Sequence, residues 1–152
     1  MTNPSDLVSA VVTKLKAIAA LTTALGSANY IVAYEDEFPT TNSLWDAIEK
    51  LSRPRIMVAW TGTAQGRRGW EHRLSLYIKA PGKYTTIIAA IFNGVPAGGD
   101  GLNFRNTPIH ASCYPIFGGI SAQRQSIPLH PDFPPLDYVE CPLTLIENGP
   151  NQ

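Results

Sequence analysis

Hydrophobic side chains recur at helical spacing in three parts of the chain. Between Ser5 and Leu25 the apolar positions fall three and four residues apart and form one stripe, which predicts an amphipathic helix. Ser5 is the candidate N-cap of this helix, and Gly26 follows its last turn. Two more helices are predicted at Ser43–Leu51, with Ser43 as N-cap, and at Tyr84–Val95, where Asn93-Gly94 is a stop signal.

A period of two marks the strands. Residues Trp70 to Ala80 alternate between two faces, which predicts a half-solvated antiparallel strand. One face carries Trp70, His72, Leu74, Leu76, Ile78 and Ala80, and the other carries Glu71, Arg73, Ser75, Tyr77 and Lys79. We expect this strand to pair with Arg55–Thr61 across the connection Gly62–Gly69. Because that connection is longer than a tight two-residue turn, its tip is expected to project.

Further strands are predicted at Tyr30–Tyr34, Thr107–Tyr114 and Asp137–Ile146. Eight of the 13 prolines lie at or after Pro108. This clustering predicts an extended and irregular arm from Pro115 to Pro135. The element order indicates an α+β fold, in which a mainly antiparallel sheet carries amphipathic helices on one face and a projecting hairpin. We expect a single domain over residues 1–152 with a short flexible C-terminal tail.

Composition adds constraints on partners. The apolar fraction of 44% suits a globular protein, while the charged fraction of 16% is low against a usual value of about 25%. A shortage of charge suggests that a partner subunit covers part of the surface. Lys plus Arg and Asp plus Glu are both 12, and this balance argues against a dedicated duplex-DNA binder. No apolar run approaches the length of a membrane span, and no secretory signal is visible, so both cysteines are expected to be reduced.

Four soft ligands raise the question of zinc: His110, Cys113, His130 and Cys141. Strand residues three apart point to opposite faces, so His110 and Cys113 are expected to diverge. Cys113 and Cys141 are instead interpreted as small buried hydrophobic residues. The sequence therefore predicts no metal and no cofactor.

No catalytic constellation can be assembled, and the sequence predicts no enzyme. The G-x-S-x-G pattern is missing, and His72 lies on an apolar strand face, where a packed histidine bonded to backbone is expected. Ala80–Lys83 and the glycine-rich residues 94–101 are interpreted as turns. The acidic segment Glu35–Glu37 is interpreted as a solvated loop because it lacks the alternating spacing of a calcium loop.

The paired arginines Arg67 and Arg68 leave three alternatives open. They are a solvated hairpin tip, a phosphate contact that an oligomer would multiply, or a docking element. Arginine and tryptophan are both favoured at protein interfaces. Nearby Trp60 and Trp70 are expected either to anchor such an element or to belong to the core.

The chain resembles the tail-terminator or tail-completion proteins of long-tailed bacteriophages. The resemblance covers Leu7 to Glu147 as an order of elements. The segments that carry it are LVSAVVTKLKAIAALTTALG, RPRIMVAWTGT, WEHRLSLYIKA, YTTIIAAIFNGV and LDYVECPLTLIE. The alternatives are a head–tail connector or neck protein, another minor tail protein, and, from a different class, a small hydrolase or metal-dependent enzyme.

The resemblance implies a virion structural protein that forms a ring, usually a hexamer. Such a ring caps the tail tube, stops its growth and offers a surface to the head-side connector. The implied partners are further copies of the chain, the tail tube protein and the connector, with DNA only passing through the lumen and no membrane. The implied location is the virion tail, after assembly in the host cytoplasm. The residues assigned to contacts are Gly66, Arg67, Arg68, Gly69, Asp100, Phe104, Arg105, Phe117 and Arg124.

Overall fold

A computed structural model describes residues 1–41, 43–93, 109–110, 112–129 and 131–148, and for 116–120 and 148 it describes the backbone alone. The helices are α1 (Pro4–Lys16), α2 (Ala19–Leu25), α3 (Tyr34–Glu37), α4 (Leu44–Lys50) and α5 (Tyr84–Asn93), and a 3₁₀ turn spans Ala28–Tyr30. The strands are β1 (Ile31–Ala33), β2 (Arg55–Gly66), β3 (Gly69–Lys79), β4 (Cys113–Ile120), β5 (Gln123–Ile127) and β6 (Leu136–Asn148).

Six strands form one mixed sheet, which confirms the α+β prediction. Its order is β1-β2-β3-β6-β4, and β5 also pairs with β6. Among the described strands only β1 runs parallel to its neighbour, and the other pairings are antiparallel. The central pair β2–β3 is the long hairpin that the alternation predicts.

The proline-rich arm folds back on its own sheet. It is extended, as predicted, but β4 and β5 make most of its first part regular, and its described residues after Ile127 lack regular structure. Strand β4 pairs with residues 143–147 of β6, and β5 pairs with residues 136–140 of the same strand. Pro115 is tolerated because β4 is an edge strand. The backbone N–H of Ser121 donates to the carbonyl of Pro142, 3.3 Å away. The N and O atoms of one strand residue point to the same side of the strand. The side on which Pro142 lacks an N–H therefore faces the junction between β4 and β5.

The predicted helix Ser5–Leu25 is two helices bent by 84°. Ile18, between them, is fully buried, so the bend wraps a continuous apolar stripe around the core. Asn3, not Ser5, caps the first helix, since its Oδ1 accepts from the N–H of Ser5 at 3.0 Å. Gly26 ends the second at φ 96°, as predicted. Among the described helices none is long enough alone to cross a membrane, and only the bent pair α1 and α2 passes that test together.

The sheet carries a core on each face. The main core joins α1, α2 and α5 to the even-numbered residues of β2 and β3, such as Ile56 and Leu76. The smaller core joins α4 to the odd-numbered residues, including Met57 and Tyr77. Helix α4 therefore lies on the second face, and the prediction that all helices pack on one face was wrong. With α4 on this face and the main core on the other, β3 is buried on both faces from Leu74 to Lys79. The prediction of a half-solvated strand was therefore wrong for these residues.

Buried Lys79 links strand β3 to the C-terminal end of α4 on the second face. Its Nζ donates to the carbonyls of Glu49, 2.9 Å away, and Leu51, 3.1 Å away. These carbonyls lie at the C-terminus of α4, where a cation complements the helix dipole. Burial lowers the pKa of Lys79, although the hydrogen bonds favour its charged form. At the other end of α4, Ser43 is the N-cap, as predicted, and accepts from Asp46 N–H.

Three smaller predictions need correction. The strand predicted at Tyr30–Tyr34 is confined to Ile31–Ala33, and the acidic loop Glu35–Glu37 lies in the single turn of α3. Of the strand Thr107–Tyr114, residues 107–108 and 111 lie outside the described residues. Cys113 begins β4, and its N–H donates to His110 O at 2.8 Å across a tight turn. The predicted tail residues 149–152 also lie outside the described residues.

Candidate functional site

The hairpin arm, which we define as Thr61–Arg73, ends in a two-residue turn. Strands β2 and β3 stay paired as far as Gly66 and Gly69, so only Arg67 and Arg68 lie between them. The longer connection predicted from the sequence was wrong. Gly69 has φ 120°, a region that favours glycine. Both arginine side chains are exposed. Strand β6 stays paired with β3 as far as Gly69, so the arm is the end of the sheet rather than the projecting two-stranded hairpin that the sequence predicts. Its turn displays two cations at that end.

A β-bulge lies at the base of the arm. Trp60 pairs with Leu74 and Gly62 pairs with Arg73, so Thr61 is the extra residue of β2. The extra residue shifts the alternation and brings Thr63 onto the face of Trp60. The indole Nε1–H of Trp60 then donates to Oγ1 of Thr63 at 2.9 Å. Trp60 stays 42% exposed, and Trp70 is half-buried, so neither is a fully buried core residue.

A buried hydrogen-bond network continues from Thr63 into the sheet. Oγ1 of Thr63 lies 3.0 Å from His72 Nδ1, and His72 Nε2 lies 3.1 Å from Glu147 Oε2. A carboxylate only accepts, so Nε2 carries a proton and donates to Glu147. The Thr63 hydroxyl accepts from Trp60 and shares a further hydrogen bond with Nδ1. His72 is fully buried. Its ring bonds to the side chains of Thr63 and Glu147, so the expected bond to backbone was wrong.

Glu147 is the end point of this network. Its carboxylate accepts from the backbone N–H of Thr2 at 2.7 and 2.8 Å and from the Thr2 hydroxyl at 2.9 Å. Burial alone would raise the pKa of Glu147, but the hydrogen bonds from Thr2 and His72 hold that pKa below its usual range. The network thus ties the segment before α1 to strands β2, β3 and β6. We call Trp60, Thr63, His72, Glu147 and Thr2 the brace of the arm.

Cys113 adjoins the brace and gives it a metal-capable donor set. The Cys113 sulfur, a His72 ring nitrogen and a Glu147 oxygen all lie within 4.8 Å of one another, and all three residues are buried. Such a set suits zinc. In the sequence the candidate ligands near Cys113 are His110, His130 and Cys141, whereas the folded sheet brings His72 and Glu147 to it. His130 lies outside the described residues.

Hydrogen bonds within the protein already engage the donor and acceptor atoms of these three side chains. Cys113 Sγ contacts Oγ1 of Thr2 at 3.7 Å, and burial raises the pKa of its thiol, which favours the protonated form. A nucleophile or metal ligand needs the thiolate. Burial also raises the pKa of Cys141 to about 12. We therefore interpret Cys113 as a packed thiol beside the brace, and both cysteines are free and buried, as predicted.

An open cleft borders the base of the arm on the side of α1. Its volume is about 290 Å³. It is lined by Pro4, Ser5, Val8 and Ser9 of α1, Ala33, Tyr34, Glu35 and Asp36 around α3, and Val58, Ala59 and Trp60 of β2. Among these described lining residues none is Lys or Arg. The cleft therefore combines an apolar floor, an exposed indole and two exposed carboxylates.

Arg124 makes contacts within its own chain and stays exposed. Its guanidinium makes two bonds to the Asp137 carboxylate, at 3.1 and 2.8 Å, and lies 5.2 Å from the centre of the Tyr84 ring. The hydrogen bonds from Arg124 lower the pKa of Asp137. The side chain, which the sequence analysis assigned to partner contacts, thus joins β5 to β6 and α5. Asp100, Phe104 and Arg105 lie outside the described residues, as does the side chain of Phe117.

Sequence reasoning missed most of the brace. Glu147 follows the apolar alternation Val139, Cys141, Leu143 and Leu145 and so occupies a core-facing position. A carboxylate at such a position signals a buried partner. His72 carries the same signal on β3. Pairing the two required the register of β3 with β6. No protein-family model, no curated protein and no solved structure matches the chain.

Proposed function

We propose that this protein is a virion structural protein, a tail terminator that forms a ring on the end of a phage tail tube and joins it to the head-side connector. The observation that carries the proposal is the hairpin arm, which is the end of the sheet. Strand β6 flanks it, a buried network holds it, and its turn presents two exposed arginines. Such an arm is suited to docking against another subunit.

The rigidity of the arm supports a docking role. Binding costs free energy for every segment that must be ordered at the interface. The ladder from Arg55–Lys79 to Gly66–Gly69 and the brace of His72 and Glu147 order this segment within the subunit. Arginine and tryptophan, which occupy the tip and the base, are also the residues that most often dominate binding energy.

Repetition in a ring would strengthen the weak contribution of one tip. Two cations per subunit contribute little alone, but several linked copies act together. The low charged fraction, 16%, is in keeping with a surface that is partly covered by neighbours.

The test joins mass measurement to a binding experiment. Native mass spectrometry and sedimentation of the purified chain should show a ring oligomer, and electron microscopy should show it on the ends of tail tubes that lack a terminator. R67A/R68A should weaken assembly while leaving the melting temperature unchanged, because exposed substitutions change stability within about 0.5 kcal/mol. The matched control is K50A/K83A, which removes the same charge from exposed sites elsewhere.

A chain that stays monomeric at every concentration and does not bind tubes would overturn the proposal. Ring formation and tube capping in K50A/K83A, together with their loss in R67A/R68A, would support it.

A further inference from the structure

We propose that the Arg67-Arg68 tip of one copy docks into the cleft between α1, α3 and β2 of the next copy. The idea rests on the proposed function, since it names the surfaces through which the ring would form. It commits to one occupant of the cleft, a second copy of this chain.

The chemistry of the cleft suits a guanidinium group. Glu35 and Asp36 supply carboxylates, and Trp60 supplies a partly exposed aromatic face. Arginine pairs with carboxylates through charge-assisted hydrogen bonds and stacks on indole rings. Within the described part of the chain, no hydrogen bond or ion pair engages the side chain of Glu35 or Asp36.

The acidic surface extends past the cleft. A second groove of about 330 Å³ adjoins the cleft and is bordered by Asp36 and Glu37, with Lys16 of α1 also in its lining. The single turn of α3 thus presents carboxylates to two adjoining depressions, so a tip that carries two cations meets more than one anion. The tip is cationic and the cleft is anionic on the same chain, which makes the surface complementary to itself.

A tip cannot enter the cleft of its own chain. Gly66, the last residue of β2, follows Trp60 by six residues, which at roughly 3.3 Å per residue places the tip about 20 Å from Trp60. The ladder to Gly66 and Gly69 keeps the arm extended. A contact between tip and cleft is therefore a contact between two copies.

The resulting interface is heterologous, because each copy offers one tip and one different cleft. Head-to-tail contacts of this kind form a ring when the rotation between copies closes. This symmetry makes a charge exchange informative. A chain with R67E/R68E has an acidic tip and an acidic cleft, and a chain with E35R/D36R has a basic tip and a basic cleft. Neither should pair with itself, but the two should pair alternately with each other.

The experiment compares the wild type, each double variant, their equimolar mixture and a chain that carries all four changes. Native mass spectrometry measures the oligomer and sedimentation measures its dissociation constant, while thermal melting confirms that each variant folds. We expect each double variant to raise the dissociation constant at least about tenfold. The mixture should recover rings with an even number of copies, and the four-change chain should recover the wild-type ring. K50E/K83E, which reverses two exposed charges elsewhere, should assemble normally.

The outcomes separate this inference from the proposed function. Wild-type rings that R67E/R68E or E35R/D36R leaves unchanged, or that neither the mixture nor the four-change chain restores, would overturn the docking contact and leave the terminator role intact. If R67E/R68E abolishes tube binding but not ring formation, the occupant of the tip is the tube, and the inference is again wrong. A wild type that neither assembles nor binds tubes overturns both.

Discussion

His72 Nε2 lies 3.1 Å from Glu147 Oε2, and the two residues belong to neighbouring strands of the main core face. His72 pairs across the ladder with Leu145, and Glu147 pairs with Trp70, so the two side chains meet diagonally. Both are polar groups at positions where their strands otherwise carry apolar core residues, such as Leu74 on β3 and Leu143 on β6. Because buried polar groups are costly unless they are paired, this contact fixes the register of β3 against β6 at the base of the arm.

Replacing Glu147 with Gln should destabilise the protein. The change removes the charge that accepts from Thr2 and His72 and leaves donors imperfectly paired in a buried site. Hydrogen bonds to charged groups of this kind typically contribute about 1–3 kcal/mol. Urea unfolding measures the free energy of unfolding. E37Q, on exposed α3, is the control and should change it by less than about 0.5 kcal/mol. Equal stability of E147Q and E37Q would show that the brace contributes nothing.

Acid should weaken the same contact. The folded-state pKa of Glu147 lies below its ordinary value of 4.5, so its contribution to stability is present above that value and is lost as the pH falls through the folded pKa. His72, Cys113 and the amino group of Met1, 3.9 Å from Oε1, are the titratable groups that face it. The loss of unfolding free energy between about pH 5 and pH 3 should be smaller in E147Q than in wild type. Parallel pH profiles would contradict this assignment.

Removing the Lys79 ammonium should destabilise the protein at the smaller core. In K79M the side chain keeps its length, but the carbonyls of Glu49 and Leu51 lose their buried donor. We expect a loss of about 1–3 kcal/mol in unfolding free energy, with increased amide exchange at the C-terminus of α4. K83M, at an exposed lysine four residues on, is the matched control. A K79M protein as stable as K83M would mean that water replaces the ammonium at no cost.

Both thiols should be unreactive in the folded state. Burial raises the pKa of Cys113 and raises that of Cys141 to about 12, so at pH 8 almost no thiolate is present. A thiol reagent such as Ellman's should react with neither residue in the native protein and with both in denaturant. Rapid reaction of one native thiol, assigned by C113S and C141S, would show that its strand opens.

The cluster of His72, Cys113 and Glu147 should not retain zinc. The donors of Cys113, His72 and Glu147 are close enough to share an ion, but hydrogen bonds from Thr2 and within the cluster already occupy them. Elemental analysis after incubation with zinc and gel filtration should show well under one ion per chain. One ion per chain, lost in C113S and accompanied by a higher melting temperature, would instead make the cluster a structural metal site.

The sequence by itself determined the elements with strong periodicity. The alternation of β3, the stripe of α5, Ser43 at the start of α4 and Gly26 after α2 are local signals, and each acts through backbone geometry within a few residues. The α+β class follows from their order. The same locality explains the failures. A continuous apolar stripe looks identical whether its helix is straight or bent at Ile18, because only the shape of the core decides between them.

Tertiary structure alone decided the site. The bulge at Thr61, the tight turn at Arg67-Arg68 and the position of β4 and β5 along β6 all depend on strand register, which is a relation between distant residues. The meeting of Thr2 with Glu147 spans nearly the whole chain. The sequence pattern shows that a histidine and a glutamate occupy core positions. Which buried partner each one takes is decided only when the sheet folds, because burying either one alone would be costly. The cleft beside Trp60 likewise exists only once α1, α3 and β2 are packed.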